Sequence, residues 1–184
     1  MDEHNSVTLE GRYKEAPVEF PKLDLPSGSY GFFPYHFREG DSELISANAT
    51  PLCRLRGEDG TICVVFYGDW DPAFVWKDEK HFPILHLDRK QALQAWKVTL
   101  DQDYLILSDD YVWEENGKLH IEGEKNTVIR CYPKLKEFSV LPDGFEACGR
   151  DQEFTLYRRR EKAENTRVTV TEENRDADSR IYDL

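Results

Sequence analysis

Ile62-Cys63-Val64-Val65-Phe66-Tyr67 decides the fold of this 184-residue chain. The six residues are apolar, mostly β-branched or aromatic, so the run has no polar face. A run this short suits a strand better than a helix, and without a polar face it belongs at the centre of a sheet, buried on both sides. Just upstream, Leu52, Arg54 and Arg56 alternate with Cys53 and Leu55, the period of a half-buried strand. Glu58-Asp59-Gly60 lies between the two. An Asp-Gly pair is expected to turn the chain with both residues at positive φ, which matches the twist of the flanking strands. Residues 44–67 thus predict two strands around a tight turn.

Further strand signals extend in both directions. Before the turn, residues 43–47 read as a strand, and so do residues 30–37, where Pro34 demands an edge or a bulge. The first 26 residues hold one weak strand signal, at 7–10, and then Pro17, Pro21 and Pro26 punctuate an extended connector. After the central run, residues 73–76, 95–98, 104–107, 111–114, 118–122, 127–132 and 153–158 read as strands, and residues 81–87 are ambiguous around Pro83. Residues 88–95 contain good helix formers, but the context favours strand from Ala95 onward. Asn116-Gly117 is the clearest two-residue hairpin turn in the chain. Strands recurring about every 8–12 residues between turn signals predict an all-β fold, an antiparallel sandwich or open barrel of about 10–12 short strands. The expected organisation is an N-terminal strand and connector over residues 1–26, the β-domain over 27–160, and a polar tail or linker over 161–184 with one alternating run at 168–171.

The words around the central strand carry a resemblance. Ala47-Asn48-Ala49-Thr50-Pro51-Leu52-Cys53-Arg54-Leu55, then the apolar strand ending in Phe66-Tyr67-Gly68, resembles a β-rich accessory domain of the β-galactosidases of glycoside hydrolase family 35. Gly31-Phe32-Phe33-Pro34-Tyr35, Asp69-Trp70-Asp71-Pro72-Ala73-Phe74 and the Leu-Ile-Leu-Ser-Asp segment from Leu105 to Asp109 are similar to the segments around it. The likeness spans residues 20–133. It implies a non-catalytic domain that follows a catalytic barrel and orients further β-domains. The two catalytic glutamates of that family come from the barrel, so no catalytic residue carries over to this chain.

Composition narrows the partners. The formal net charge is −12, and the one basic cluster is Arg158-Arg159-Arg160. Nucleic acid is not expected, because phosphate binding needs clustered Lys and Arg. An anionic membrane surface is disfavoured for the same reason, and no run approaches the ~20 apolar residues of a membrane-spanning helix. Other domains of a parent enzyme, or a neutral glycan, are compatible with this charge. The opening residues are polar and acidic rather than a signal peptide, which leaves the compartment open. Cys53, Cys63, Cys131 and Cys148 lack the spacing of a zinc set, and a Cys53–Cys63 bridge across the hairpin stays open.

Chemistry is sparse. Asp69/Asp71, Asp109/Asp110 and Glu114/Glu115 are the acid pairs a glycosidase would need, and all fall at turns or strand ends, where acids commonly sit for structural reasons. His36, His81, His86 and His120 show no ligand spacing, and Ser42, Ser46 and Ser108 lie in no nucleophile elbow. No metal or cofactor is expected. The aromatics Trp70, Trp76, Trp96, Trp113, Tyr30, Tyr35, Tyr67 and Tyr111 read first as core or interface packing, and second as a sugar-stacking platform. The contact residues expected are Trp70 with its flanking Asp69 and Asp71, and Trp113. Trp70 is expected in a surface loop, partly exposed, its indole N–H available to a partner. An accessory domain is therefore the first reading, a stand-alone carbohydrate-binding module the second and an independent enzyme the third.

Overall fold

The computed structural model describes residues 4–7, 10–13, 16–26, 30–123, 128–136 and 144–160. The expected strand at 168–171 lies outside them, with the whole of 161–184 and two residues, Thr8 and Leu9, of the expected first strand. The chain begins with β1 (His4–Val7), β2 (Glu10–Tyr13), β3 (Ala16–Glu19) and β4 (Leu23–Pro26). They form two antiparallel ribbons, β1 with β4 and β2 with β3. One weak strand and a connector were expected here. A two-stranded ribbon has only edges, so Pro17 and Pro26 can sit in strands without breaking a ladder on both sides.

β5 (Tyr35–Glu39), β6 (Ser42–Ala47), β7 (Thr50–Arg56), β8 (Ile62–Tyr67), β9 (Phe74–Trp76) and β10 (Ile84–Leu87) follow. A one-turn helix, α1 (Arg89–Leu93), then leads into β11 (Ala95–Thr99). The last strands are β12 (Asp103–Leu107), β13 (Tyr111–Glu115), β14 (Lys118–Glu122), β15 (Val128–Tyr132), β16 (Phe145–Asp151) and β17 (Phe154–Arg159). The described residues are all-β, with more strands than the sequence predicts: those of the first 26 residues supply four where one was expected, and β16 was not expected at all.

The core explains the layering. β8 is central in the sheet β10-β8-β7, with Val64, Val65 and Phe66 fully buried. Val64 and Phe66 pack with Leu44, Ala47 and Phe82 under the sheet β5-β6-β9. Cys63 and Val65 face the other way, against Leu105 and Leu107 of β12. β12 repeats the arrangement: Tyr104 and Ile106 pack with Val112 and Leu119 of the β13–β14 hairpin. The result is four stacked layers, β5-β6-β9, β10-β8-β7, β11-β12-β15-β17-β16 and β13-β14, with the two-faced strands β8 and β12 inside. Each fully buried large apolar side chain in these strands contributes about 1.5–3 kcal/mol relative to exposure.

Three local expectations change. Residues 30–34 are not strand, and pairing starts after Pro34, which has no N–H to give. The turn before β8 is wider than two residues: Gly57 N donates to Thr61 O at 2.8 Å, and only Gly60 has positive φ. Asp59 instead uses its carboxylate, accepting from Thr61 N at 2.9 Å and Thr61 Oγ1 at 2.8 Å, a local bond that holds the longer loop. The ambiguous segment around Pro83 becomes β10, which pairs with β8 in parallel. A parallel return needs a long crossover, and residues 68–83, passing through β9 in another sheet, provide it. The mixed signal near Ala95 is resolved by both elements: Asp88 and Gln91 close a capping box, and the short helix hands over to β11. Asn116 and Gly117 take φ of 54° and 74°, the turn expected of that pair. Cys53 and Cys63 are diagonal across the β7–β8 ladder, opposite Val65 and Leu55, and all four cysteines are unbridged thiols.

Candidate functional site

Trp70 lies in the crossover loop between β8 and β9, and the loop is held from below by one residue. Buried Asn48, between β6 and β7, donates through Nδ2 to Asp71 O at 3.2 Å and to Lys22 O at 3.3 Å. Its Oδ1 accepts from Ala73 N at 2.7 Å, and its own N–H donates to Ala73 O at 3.2 Å. Its carbonyl accepts the Trp70 indole N–H. The N–H expected to await a partner is therefore spent inside the chain. Trp70 itself is half-buried. Its ring folds back over Gly68, where a Cβ would stand 3.2 Å from the indole, and meets Phe33 at a centroid distance of 6.3 Å. Asp69 is exposed, and its Oδ1 accepts from Arg89 N at 2.9 Å, tying the loop to the start of α1. Asp71 is exposed as well. Beside this loop the segment before β5 leaves Tyr30 89 % and Phe32 75 % accessible.

Trp113 belongs to a second aromatic surface. Val112 and Leu119 turn into the core with Ile121 packed on them, so Tyr111, Trp113 and Glu115 of β13 take the outer face. The ladder sets them opposite Glu122, His120 and Lys118. Trp113 stacks on His120 with centroids 5.2 Å apart and planes 18° off parallel. Tyr111 lies 5.3 Å from Trp113 and meets Trp96 of β11 edge-on at 5.1 Å. Trp96 is anchored through its N–H to Ser108 O at 2.9 Å. Tyr111 is 56 % accessible. Sequence reading places Trp113 among the contact residues but does not connect it to Trp96, Tyr111 and His120. The two-residue turn at Asn116-Gly117 is the signal that pairs Trp113 with His120.

The acid pairs do not converge. Glu114 and Glu115 are neighbours in a strand and so face opposite sides, and Glu114 Oε1 accepts from Gly117 N at 2.7 Å. Asp109 is exposed and accepts from Gln94 Nε2 at 2.7 Å, whereas Asp110 is buried with Arg159 NH2 at 3.3 Å from Oδ2. Glu43 is the acid that sequence reading missed. Buried in β6, it accepts from His36 Nδ1 at 2.6 Å and Lys77 Nζ at 3.0 Å, with Arg38 NH2 at 3.2 Å. The His36 bond, then the Lys77 bond, and in lesser part Arg38, pull its carboxyl down to about 2 against the opposing effect of burial. His36 reaches it from a left-handed backbone, φ 50°. The cluster clamps β5, β6 and the end of β9 together. Burial lowers the His86 pKa, countered in part by the charges of Asp88 and then Asp69. No three His, Cys, Asp or Glu groups among the described residues are placed to hold a metal ion, and no helix among them is long and apolar enough to cross a membrane.

The chain matches no protein-family model and no curated protein sequence.

Proposed function

We propose that this chain is a non-catalytic β-domain of a larger glycoside hydrolase of the β-galactosidase kind, packing against a catalytic barrel and orienting neighbouring β-domains. The observation that carries the reading is the pair Tyr30 and Phe32, both exposed beside the half-buried rings of Phe33 and Trp70. Large apolar side chains concentrated at one edge mark a surface that another body covers. Trp70 fits that surface as a ring held rigid by Asn48, which lowers the entropy lost when a partner docks. Four of the six carboxylates named as acid or base candidates support the same reading. Asp69, Asp109 and Glu114 are engaged with backbone or side-chain donors that organise turns, and Asp110 is buried against Arg159. The sequence likeness to family 35 accessory domains supports a parent enzyme of that class.

Two measurements test this. Purified chain incubated with nitrophenyl β-galactoside is expected to give no turnover, and turnover abolished by Asp69→Asn or Asp71→Asn would overturn the reading. A separately expressed catalytic barrel from the same polypeptide is expected to co-elute with the chain. Tyr30→Ser with Phe32→Ser is expected to abolish that complex without lowering the melting temperature.

A further inference from the structure

We propose that the outer face of the β13–β14 hairpin binds a neutral oligosaccharide, with Tyr111 and Trp113 as the stacking rings. The inference is independent of the docking role given to Tyr30 and Phe32. The hairpin's inner residues Val112 and Leu119 already supply the core, and a single cross-strand ring pair, Trp113 on His120, suffices to staple two strands. Tyr111 exceeds that need. It extends the row toward Trp96, giving consecutive ring centroids 5.1, 5.3 and 5.2 Å apart, and it leaves more than half its surface to solvent. A ring face carries partial negative charge and attracts the C–H-bearing face of a pyranose.

The rim selects among ligands. Glu115, Lys118 and Glu122 share the outer face with the rings, and all three are exposed. Two are carboxylates, which only accept hydrogen bonds, and the whole chain carries −12, so the rim favours a ligand that donates and disfavours an anionic one. A proline-rich peptide also lies on aromatic rows, but its proline units offer carbonyl acceptors and no N–H, which leaves the two carboxylates without partners. A cationic ligand is the competing occupant, since the rim sets two carboxylates against one ammonium, and it would show itself by binding that collapses with salt. Sugar hydroxyls both donate and accept and bear no charge.

The test is NMR titration of the full chain, following the Trp113 indole N–H, with cellotetraose, β-1,4-galactotetraose and a proline-rich decapeptide. At least one oligosaccharide is expected to shift that resonance to saturation. Tyr111→Ala should weaken the binding by about tenfold, as loss of a stacking anchor does. Trp70→Ala should leave it unchanged, and so should raising the salt from about 50 to about 500 mM, because no charge pair is involved. Tyr111→Leu, which keeps apolar bulk without a ring face, should show the same loss and stands in if the alanine variant does not fold. No saturation by either oligosaccharide, saturation by the peptide alone, binding that collapses with salt, or binding indifferent to both Tyr111 variants would each overturn the proposal.

Discussion

At the crossover loop, Trp70 is held from beneath by the backbone carbonyl of Asn48, and its N–H is committed. At the β13–β14 hairpin, Trp113 is held from the side by the ring of His120 across the ladder, with Tyr111 beside it on the open side. The strands on either side of the loop meet through aromatic rings, Phe66 of β8 lying 5.3 Å from Phe74 of β9 and 6.2 Å from Phe37 of β5. The hairpin rests on aliphatic Val112 and Leu119. A loop has no ladder to position a ring, so it needs a buried polar residue to do so. A hairpin positions its rings by register alone. The two surfaces should therefore fail differently when cut.

The largest effect is expected in the strand that leads into the loop. Phe66→Ala removes a fully buried ring from the strand that serves two cores, and such truncations cost about 3–5 kcal/mol. That is a large share of a domain's ~5–15 kcal/mol, so chemical denaturation should show a midpoint far below wild type or no folded baseline. A midpoint within experimental error of wild type would remove β8 from the centre of the fold.

Asn48→Ala comes next. It strands Ala73 N and the carbonyls of Lys22 and Asp71 without the partners they have now. Lys22 and Asp71 are exposed and water can reach their carbonyls, so the cost is that of the bonds lost, about 0.5–1.5 kcal/mol each. The variant should also free the loop, seen as faster acrylamide quenching of Trp70 with the Trp113 surface unchanged. Equal quenching at both surfaces would mean that Asn48 supports the whole molecule rather than the loop.

A narrower effect appears only in acid. The folded-state pKa of Glu43 lies near 2, below its ordinary 4.5, so its ion pairs stabilise the fold fully above about pH 4.5. That contribution is lost as pH falls through 4.5 toward 2. Glu43→Gln should be less stable than wild type at neutral pH and should lose less stability over that interval. Parallel pH profiles for the two proteins would show that the His36–Lys77–Arg38 cluster does not hold β5 and β6.

How much of this was legible in the sequence differs between the two surfaces for the same reason. The hairpin follows from local rules: Asn116-Gly117 fixes a two-residue turn, and counting outward pairs Trp113 with His120 and Tyr111 with Glu122. Likewise the apolar run 62–67 announces β8 without help. The loop depends on groups far apart in the chain, Lys22, Asn48 and Asp71 to Ala73, and no periodicity reports such a meeting. The parallel pairing of β10 with β8 was hidden in the same way, because Pro83 breaks the strand pattern while the pairing partner is set by the crossover. Glu43 lies in an ordinary-looking strand, and its burial is compensated by Lys77, thirty-four residues on.

The smallest effect separates the two surfaces most sharply. Trp70→Ala loses a half-buried ring and one internal hydrogen bond, together about 1–2 kcal/mol. Tyr111→Ala removes a ring that is mostly in water, and surface substitutions of that kind stay within about 0.5 kcal/mol. Trp113→Ala should fall between them, since it breaks a cross-strand pair worth about 0.2–1 kcal/mol. The order Trp70, Trp113, Tyr111 is therefore expected in urea midpoints measured with unchanged slopes. Variants keeping a single tryptophan add an optical reading: Trp70 should resist acrylamide better than Trp113, because its pyrrole edge is bonded to a carbonyl inside the chain. If Tyr111→Ala proved the costliest of the three, the outer row would be a structural staple, and its exposed ring would no longer be in surplus.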